Sequence, residues 1–316
     1  MFLVINKRIN FVKIVMLIQT IVFSACGQTI NKGLSKSDYS FGLKEAKTIK
    51  NEVLAGNYAK ADEMIKTLSS DNLSQTMDCL ALNIEGEILK KWYNQSNNSE
   101  SSTLAIGVYH SHKGWKIRGY AYSNDVDKDD AMGFIDYQEK SKELLNKITK
   151  NKSLVAEAKA RLIRVYMSLD EYEKASLNFQ KCIQLDPNNV WAYIHQSESI
   201  QPKWGGSQKD LNEFLKNMSK NKLIQQIITL KLTVDSFISD ENLFDDGEEN
   251  IKQKARKTIR EIDKEIEANS INSIHKYLVF GYMVSISHEL GDNHLLNKYY
   301  SKMDENYPLY PFGIIE

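Results

Sequence analysis

Residues 156–189 read AEAKARLIRVYMSLDEYEKASLNFQKCIQLDPNN, and this stretch decides the fold. Leu162 and Tyr166 are one helical turn apart, so both lie on the inner face of a first helix. Leu169-Asp170-Glu171-Tyr172 is a short turn out of it. Ala175 is small where two helix backbones approach, and Phe179, a turn later, fills the groove between them. Asp186-Pro187-Asn188-Asn189 ends the second helix, because proline has no amide hydrogen and disfavours helix in the residue before it.

Counted in a 34-residue frame from Ala156, residues Leu162, Tyr166, Ala175, Phe179 and Pro187 fall at places 7, 11, 20, 24 and 32. This spacing resembles the tetratricopeptide (TPR) repeat. Lys159, Ile163 and Cys182 depart from it, at places where an aromatic, a small residue and alanine are usual. The resemblance implies an all-α fold, a TPR-like superhelix of stacked α-hairpins whose first helices line a concave face. On that face Lys159, Arg161, Arg164, Tyr193 and His195 are the expected exposed, partner-binding side chains, and the partner is a protein or peptide.

Two other stretches carry fainter copies. Gly42 to Leu73 has Gly56-Asn57-Tyr58 as its turn, Ala61 at the small place and Ile65 in the groove; Ser270 to Tyr307 has Leu290-Gly291-Asp292, then Leu296 and Tyr300. The units begin at 42, 156 and 277, separations that are not multiples of 34, so the repeats are degenerate or interrupted. Leu80, Ile84 and Leu89 lie on a helical period and predict another helix pair from Ser74 to Trp92. Leu223 to Ile238 reads as a buried helix, Asp240 to Asn250 as an acidic break, and Ile251 to Asn269 as an amphipathic helix.

At the start, Lys7, Arg8 and Lys13 precede the apolar run Ile14 to Phe23, which closes on Ser24-Ala25-Cys26. The run is too short to cross a bilayer of about 30 Å and reads as an export signal. Phe23-Ser24-Ala25-Cys26 resembles a bacterial lipobox, with phenylalanine where leucine is usual. The resemblance implies lipidation of Cys26 and a lipoprotein of the bacterial envelope, held to the membrane through that anchor only. The alternative is secretory cleavage near Ala25. The expected organisation is a signal peptide over 1–25, a tether over 26–40, a TPR-like helical domain over 41–238, an acidic loop over 239–250 and a C-terminal helical region over 251–316.

Without Lys7, Arg8 and Lys13 the chain keeps 38 of its 41 basic residues against 41 acidic ones. Such a balance gives no global attraction to nucleic acid, and none is expected as a partner. Cys79 and Cys182 are far apart in sequence and imply no disulfide framework.

Between Trp92 and Gly119 the pattern changes. Gly114-Trp115-Lys116-Ile117-Arg118-Gly119 suggests a tightly turned backbone, with Trp115 pinned between helices and Arg118 free to stack or pair. Further on, Pro202-Lys203-Trp204-Gly205-Gly206-Ser207 stops one helix, turns the chain, and begins the next with Ser207 and Asp210 as a capping box. Trp204 is then a lid over the neighbouring pair. In this order, Trp92, Gly114-Trp115-x-x-Arg118-Gly119, Asp186-Pro187 and Pro202-x-Trp204-Gly205-Gly206-Ser207 resemble a bacterial family classed as a domain of unknown function and related to TPR proteins. The resemblance spans roughly residues 58–215 and implies a fold, with these motif residues structural, but no activity.

Asp125-Val126-Asp127-Lys128-Asp129-Asp130 has the acid spacing of a calcium loop but lacks its glycine at place 6 and its final glutamate, so a helix beginning near Ala131 and capped by Asp129 or Asp130 is the expectation. There is no phosphate-binding glycine-lysine loop, serine elbow or paired Cys-x-x-Cys. His110 and His112 point to different faces of a helix; His195 and Glu198 share one without further ligands. No cofactor, metal or catalytic residue is expected. The sequence favours a protein-binding scaffold of the envelope. Its alternatives are a hydrolase with Arg118, His110 and the acids of 125–130 beside Trp115, and a structural subunit of an envelope complex.

Overall fold

The computed structural model describes residues 39–119, 125–218, 220–238, 248–268 and 273–303. Cys26, the signal and most of the tether lie outside them, as does most of the acidic loop. The described residues form fourteen α-helices and no strand. They are α1 (Lys44–Leu54), α2 (Tyr58–Lys66), α3 (Ser70–Asn83), α4 (Gly86–Gln95), α5 (Glu100–Arg118), α6 (Lys128–Asn146) and α7 (Lys152–Ser168). Then come α8 (Tyr172–Leu185), α9 (Val190–Ser199), α10 (Gln208–Asn217), α11 (Lys222–Ile238), α12 (Glu248–Ala268), α13 (Ser273–Glu289) and α14 (Asn293–Tyr300), with a 3-10 turn at Pro202–Trp204 after α9.

Short polar side chains start these helices. Ser69, Ser99, Asp127, Asn151, Asn189, Ser207 and Asp292 each accept a hydrogen bond from a backbone N–H of the first turn they precede. The cap of α6 is Asp127, in place of the expected Asp129 or Asp130, both of which fall inside its first turn. There their negative charge meets the positive end of the helix dipole.

Three hairpins share one turn. Gly56, Asp170 and Gly291 hold left-handed backbone at φ of 80°, 58° and 65°. In each, the next residue's N–H reaches back five residues: Asn57 to Glu52, Glu171 to Tyr166 and Asp292 to Ser287, at 2.9, 2.9 and 3.0 Å. This is the Schellman ending of a helix. It closes α1, α7 and α13, the three places where the sequence carries the repeat.

Helices α1, α5, α7, α11 and α13 each pack on the helix that follows, whereas α3 packs mainly on α1 and α5. The expected pair over 74–92 is therefore two helices broken at Ile84, whose backbone is extended and whose side chain is buried. The odd-numbered helices form a row in which α1 touches α3, α3 touches α5, and so on to α13, and α13 returns to touch α3. Phe41 and Tyr277 meet edge to face at 4.9 Å where the row closes. One apolar core runs through it from Phe41 to Met303. Helix α7 sits at its centre, against α3, α5, α6, α8 and α9.

Close packing sets the glycines of α5. Gly114 lies within the helix, not in a turn as the sequence suggested, and a Cβ there would stand 2.8 Å from Gln138 Nε2 and 3.3 Å from the Phe134 carbonyl. Gly107 likewise lets Leu145 of α6 approach. Glu100, on the first turn of α5, accepts the backbone N–H groups of Thr149, Lys150 and Asn151 at 2.6–2.8 Å and so pins the α6–α7 connection.

Candidate functional site

The centre of the row is polar. Arg161 on α7 donates from Nη1 to Asp78 of α3 and from Nε to Glu157, both at 2.6 Å, and from Nη2 to the Ser74 carbonyl at 3.0 Å. Ser74 donates its hydroxyl to the other oxygen of Glu157, and His112 of α5 donates from Nε2 to Asp78 at 2.8 Å. Every strong donor in this group faces an acceptor. Burial works against the Asp78 carboxylate, but Arg161 and His112 outweigh it and hold Asp78 ionised well below the usual carboxylate range. Burial likewise opposes the Arg161 charge, and Asp78 with Glu157 raises its pKa regardless.

Beside the network lies a cavity of about 20 Å³, lined by Asp78, His112, Arg161, Arg164, Trp191 and His195 among others. That is room for about one water-sized group. His195 stacks on Trp191 with ring centres 5.6 Å apart. Burial, then the charges of Arg164 and Arg161, keep its imidazole neutral by pushing its pKa well below the ordinary value.

This placement corrects the expected exposed face. Arg161, His195 and Tyr193 are only 8%, 5% and 4% exposed. The row closes over α7 and α9, so the face that an open repeat array would present is filled by its own helices. Tyr193 donates to the Pro187 carbonyl at 3.1 Å and packs on Phe179. Lys159 is half-buried, its pKa lowered by burial and by Lys181. Arg164 is also half-buried, with Nε 3.8 Å from Glu198.

The motif residues do come together. Trp115 meets Phe134 edge to face at 4.9 Å and Trp204 at 6.0 Å. The Arg164 guanidinium lies 4.2 Å from the Trp115 ring centre, and Arg118 lies 5.6, 5.9 and 6.0 Å from the rings of Trp115, Phe134 and Trp204. The Trp204 turn is built as its sequence implies: Pro202 opens the 3-10 turn, Gly205 takes φ of 87°, and the Ser207 hydroxyl oxygen accepts from the Asp210 N–H at 3.1 Å. Gly206 presses so close to the Ile200 carbonyl that a Cβ would stand 2.1 Å from its oxygen. Trp92 is fully buried, stacked on Tyr58 at 6.3 Å.

The residues of the hydrolase alternative are spread out. His110 packs against Tyr137 while Arg118 is two turns further along α5, about 12 Å away by helical rise. The acids from Asp125 to Asp130 are exposed around the start of α6. Among the described residues no cluster of three His, Cys, Asp or Glu side chains has metal-binding geometry. What the sequence reading missed is the buried network: Glu157 and Arg161 are spaced for an ordinary helix-surface ion pair, and Asp78 and His112 carry no local sign of meeting them.

On the outer side, a groove of about 370 Å³ runs between α6 and α8, lined by Asp136, Glu139, Lys140, Glu143, Tyr166 and Lys174 among others. Ile135, one turn before Glu139, and Leu177, one turn after Lys174, are each about half exposed, as is Met132. No helix among the described residues is long and apolar enough to cross a membrane. Comparison with known proteins finds no matching family model, curated protein or solved structure.

Proposed function

We propose that the chain is a TPR-like helical-repeat scaffold that binds a peptide segment of another envelope protein in the groove between α6 and α8, and that a lipid on Cys26 holds it at the membrane. The observation that carries this reading is the groove itself: a charged channel of about 370 Å³, with Ile135 and Leu177 left half exposed on the two helices that flank it. Large apolar side chains kept in water beside alternating charges suit an amphipathic partner segment, whose apolar face covers them while its charges meet Lys and Glu on the walls. The shared turn of α1, α7 and α13 supports the repeat reading, and the Phe23-Ser24-Ala25-Cys26 sequence supports the anchor. The partner surface thus moves from the inner helices, where Arg161 is sealed, to an outer groove.

A photo-crosslinking residue at Ile135, compared in intact cells with one at exposed Glu261 of α12, tests the groove. A discrete adduct from position 135 alone, lost on Leu177→Asp, is expected; identical adducts from both positions, or none, would move the binding surface elsewhere. For the anchor, Cys26→Ala should release the chain into the soluble fraction, and unchanged membrane retention would rule the lipid out.

A further inference from the structure

Four helices of the row meet at the cavity of about 20 Å³: Asp78 comes from α3, His112 from α5, Arg161 and Arg164 from α7, and Trp191 and His195 from α9. One water needs roughly 10–15 Å³ of such space, so a molecule of that size fits and a larger one does not. Asp78, Arg161, Trp191 and His195 are each more than nine-tenths buried, while His112 and Arg164 keep some contact with solvent.

Hydrogen bonding around this space is incomplete. Arg161 spends its donors on Asp78, Glu157 and the Ser74 carbonyl. Both bonds that Asp78 accepts, from Arg161 and His112, land on Oδ1, and among the described residues none reaches Oδ2. On α9, the Trp191 indole N–H and the His195 Nδ1 are sealed from solvent and meet no partner among the described residues. Sealed polar groups in folded proteins are almost always served, by protein or by ordered water, because leaving one unserved costs its full desolvation.

The three groups differ in what they require. An indole N–H only donates, an ionised carboxylate only accepts, and a neutral imidazole nitrogen does one or the other according to its tautomer. A halide would serve the indole but would sit against the Asp78 carboxylate. An alkali cation would serve the carboxylate but would sit against Arg161 and Arg164 and leave the indole without an acceptor. A neutral molecule that both donates and accepts suits all three, and at this volume that molecule is water. We infer that the junction of α3, α5, α7 and α9 binds one internal water, which accepts from Trp191 Nε1, donates to Asp78 Oδ2 and shares a hydrogen bond with His195 Nδ1. Three bonds are the usual number for a buried water. The water thus joins the stacked pair of Trp191 and His195 on α9 to the ion pair that ties α7 to α3. This site is separate from the groove between α6 and α8, and neither depends on the other.

The test is a crystal structure of the purified full chain at a resolution that shows ordered waters, a second data set from a bromide soak, and NMR of the indole N–H groups of the four tryptophans. Density for one water within hydrogen-bond distance of Trp191 Nε1, Asp78 Oδ2 and His195 Nδ1, with no anomalous bromide signal there, is expected. In solution one indole signal, identified by its loss in Trp191→Phe, should show a cross-peak to water of the sign that a long-lived bound molecule gives. His195→Phe takes away one partner and fills part of the space, so that cross-peak should vanish while the Trp191 indole signal itself remains. Should either variant fail to fold, the wild-type density and the bromide data still decide. A junction without water density in a well-ordered crystal, a bromide peak in its place, or a Trp191 indole with no cross-peak to water would overturn the inference.

Discussion

Arg161 and Asp78, 83 residues apart in the chain, meet at 2.6 Å with both side chains more than nine-tenths buried, and this pair ties α7 to α3 at the centre of the row. An ion pair so placed is fixed by what surrounds it: neither charge can return to water without opening the core. Removing one partner therefore costs more than the pair itself contributes.

Arg161→Met should destabilise the fold by about 3–5 kcal/mol, because it leaves Asp78 and Glu157 charged and buried without their cation. Adding Asp78→Asn and Glu157→Gln to that variant removes the stranded charges and should recover a large part of the loss. Urea unfolding of the single and triple variants measures both. A single variant within about 0.5 kcal/mol of wild type, the range of ordinary surface changes, would mean that the pair is not sealed as described.

Acid should loosen the fold in a defined window. His110 and His275 are pushed down to about 4, the first by burial and then Lys140, the second by burial. His195 is lowered still more clearly, by burial and then Arg164 and Arg161. With folded pKa values below the unfolded value of about 6.5, the unfolded chain binds more protons between pH about 6.5 and 4. Stability is then complete above that window and falls as pH drops through it. The slope is at most about 1.4 kcal/mol per pH unit for each histidine, and less for His110, which keeps some solvent. His288 opposes this weakly, since its hydrogen bond to Glu289 raises its pKa. Asp78, held far below the usual carboxylate range, keeps its pair with Arg161 through this window and loses it only in much stronger acid. Urea midpoints at pH 8, 6.5, 5 and 4 should fall in that order, and His195→Gln should flatten the drop by nearly one proton; equal midpoints at pH 7 and 5 would refute the neutral, buried histidines.

The two glycines after Trp204 should respond differently to alanine. Gly205 has left-handed backbone, and the Tyr172 ring lies 3.3 Å from where an alanine methyl would stand, so Gly205→Ala should cost about 1–2 kcal/mol. At Gly206 the obstacle is backbone, the Ile200 carbonyl 2.1 Å away, which has no rotamer to move aside. Gly206→Ala should cost clearly more and should also shift the fluorescence of Trp204, because the turn that holds the indole against Trp115 has to open. Thermal melts and emission spectra of the two variants decide the order.

The α7–α8 hairpin was legible because its causes are local: a turn residue at Asp170, small Ala175, and Pro187 beyond the helix end act within a few residues of themselves. The same holds for Gly56 and Gly291. The burial of Arg161 was not legible, since Glu157 and Arg161 four residues apart make the same pattern on a solvent-facing helix as in a sealed one. What seals it is α3, brought in by the return of the row. Gly114 failed for a related reason. A glycine needed for a close helix crossing and a glycine needed for a turn look alike until the partner, here Gln138 of α6, is known. The meeting of Trp115 with Trp204 belongs to the same class, because it depends on where α9 ends relative to α5.

The buried thiols report on the same centre. Cys79 and Cys182 are both inaccessible, and Cys182 donates to the Ala156 carbonyl at 3.3 Å. Burial, with Glu157 and Asp186 nearby, pushes the Cys182 thiol up, away from the reactive thiolate. In the Cys26→Ala form neither thiol should react with a disulfide reagent except through opening of the fold, and both should react fully past the urea midpoint. Arg161→Met separates the two. Cys79 is next to Asp78 on α3, whose tether to α7 is cut, whereas Cys182 is held by the α7–α8 hairpin, which that tether does not cross. Labelling in native conditions should therefore speed up more at Cys79 than at Cys182. Equal acceleration would show that α3 and the hairpin open as one unit, and that the Arg161–Asp78 contact holds the whole row instead of one seam within it.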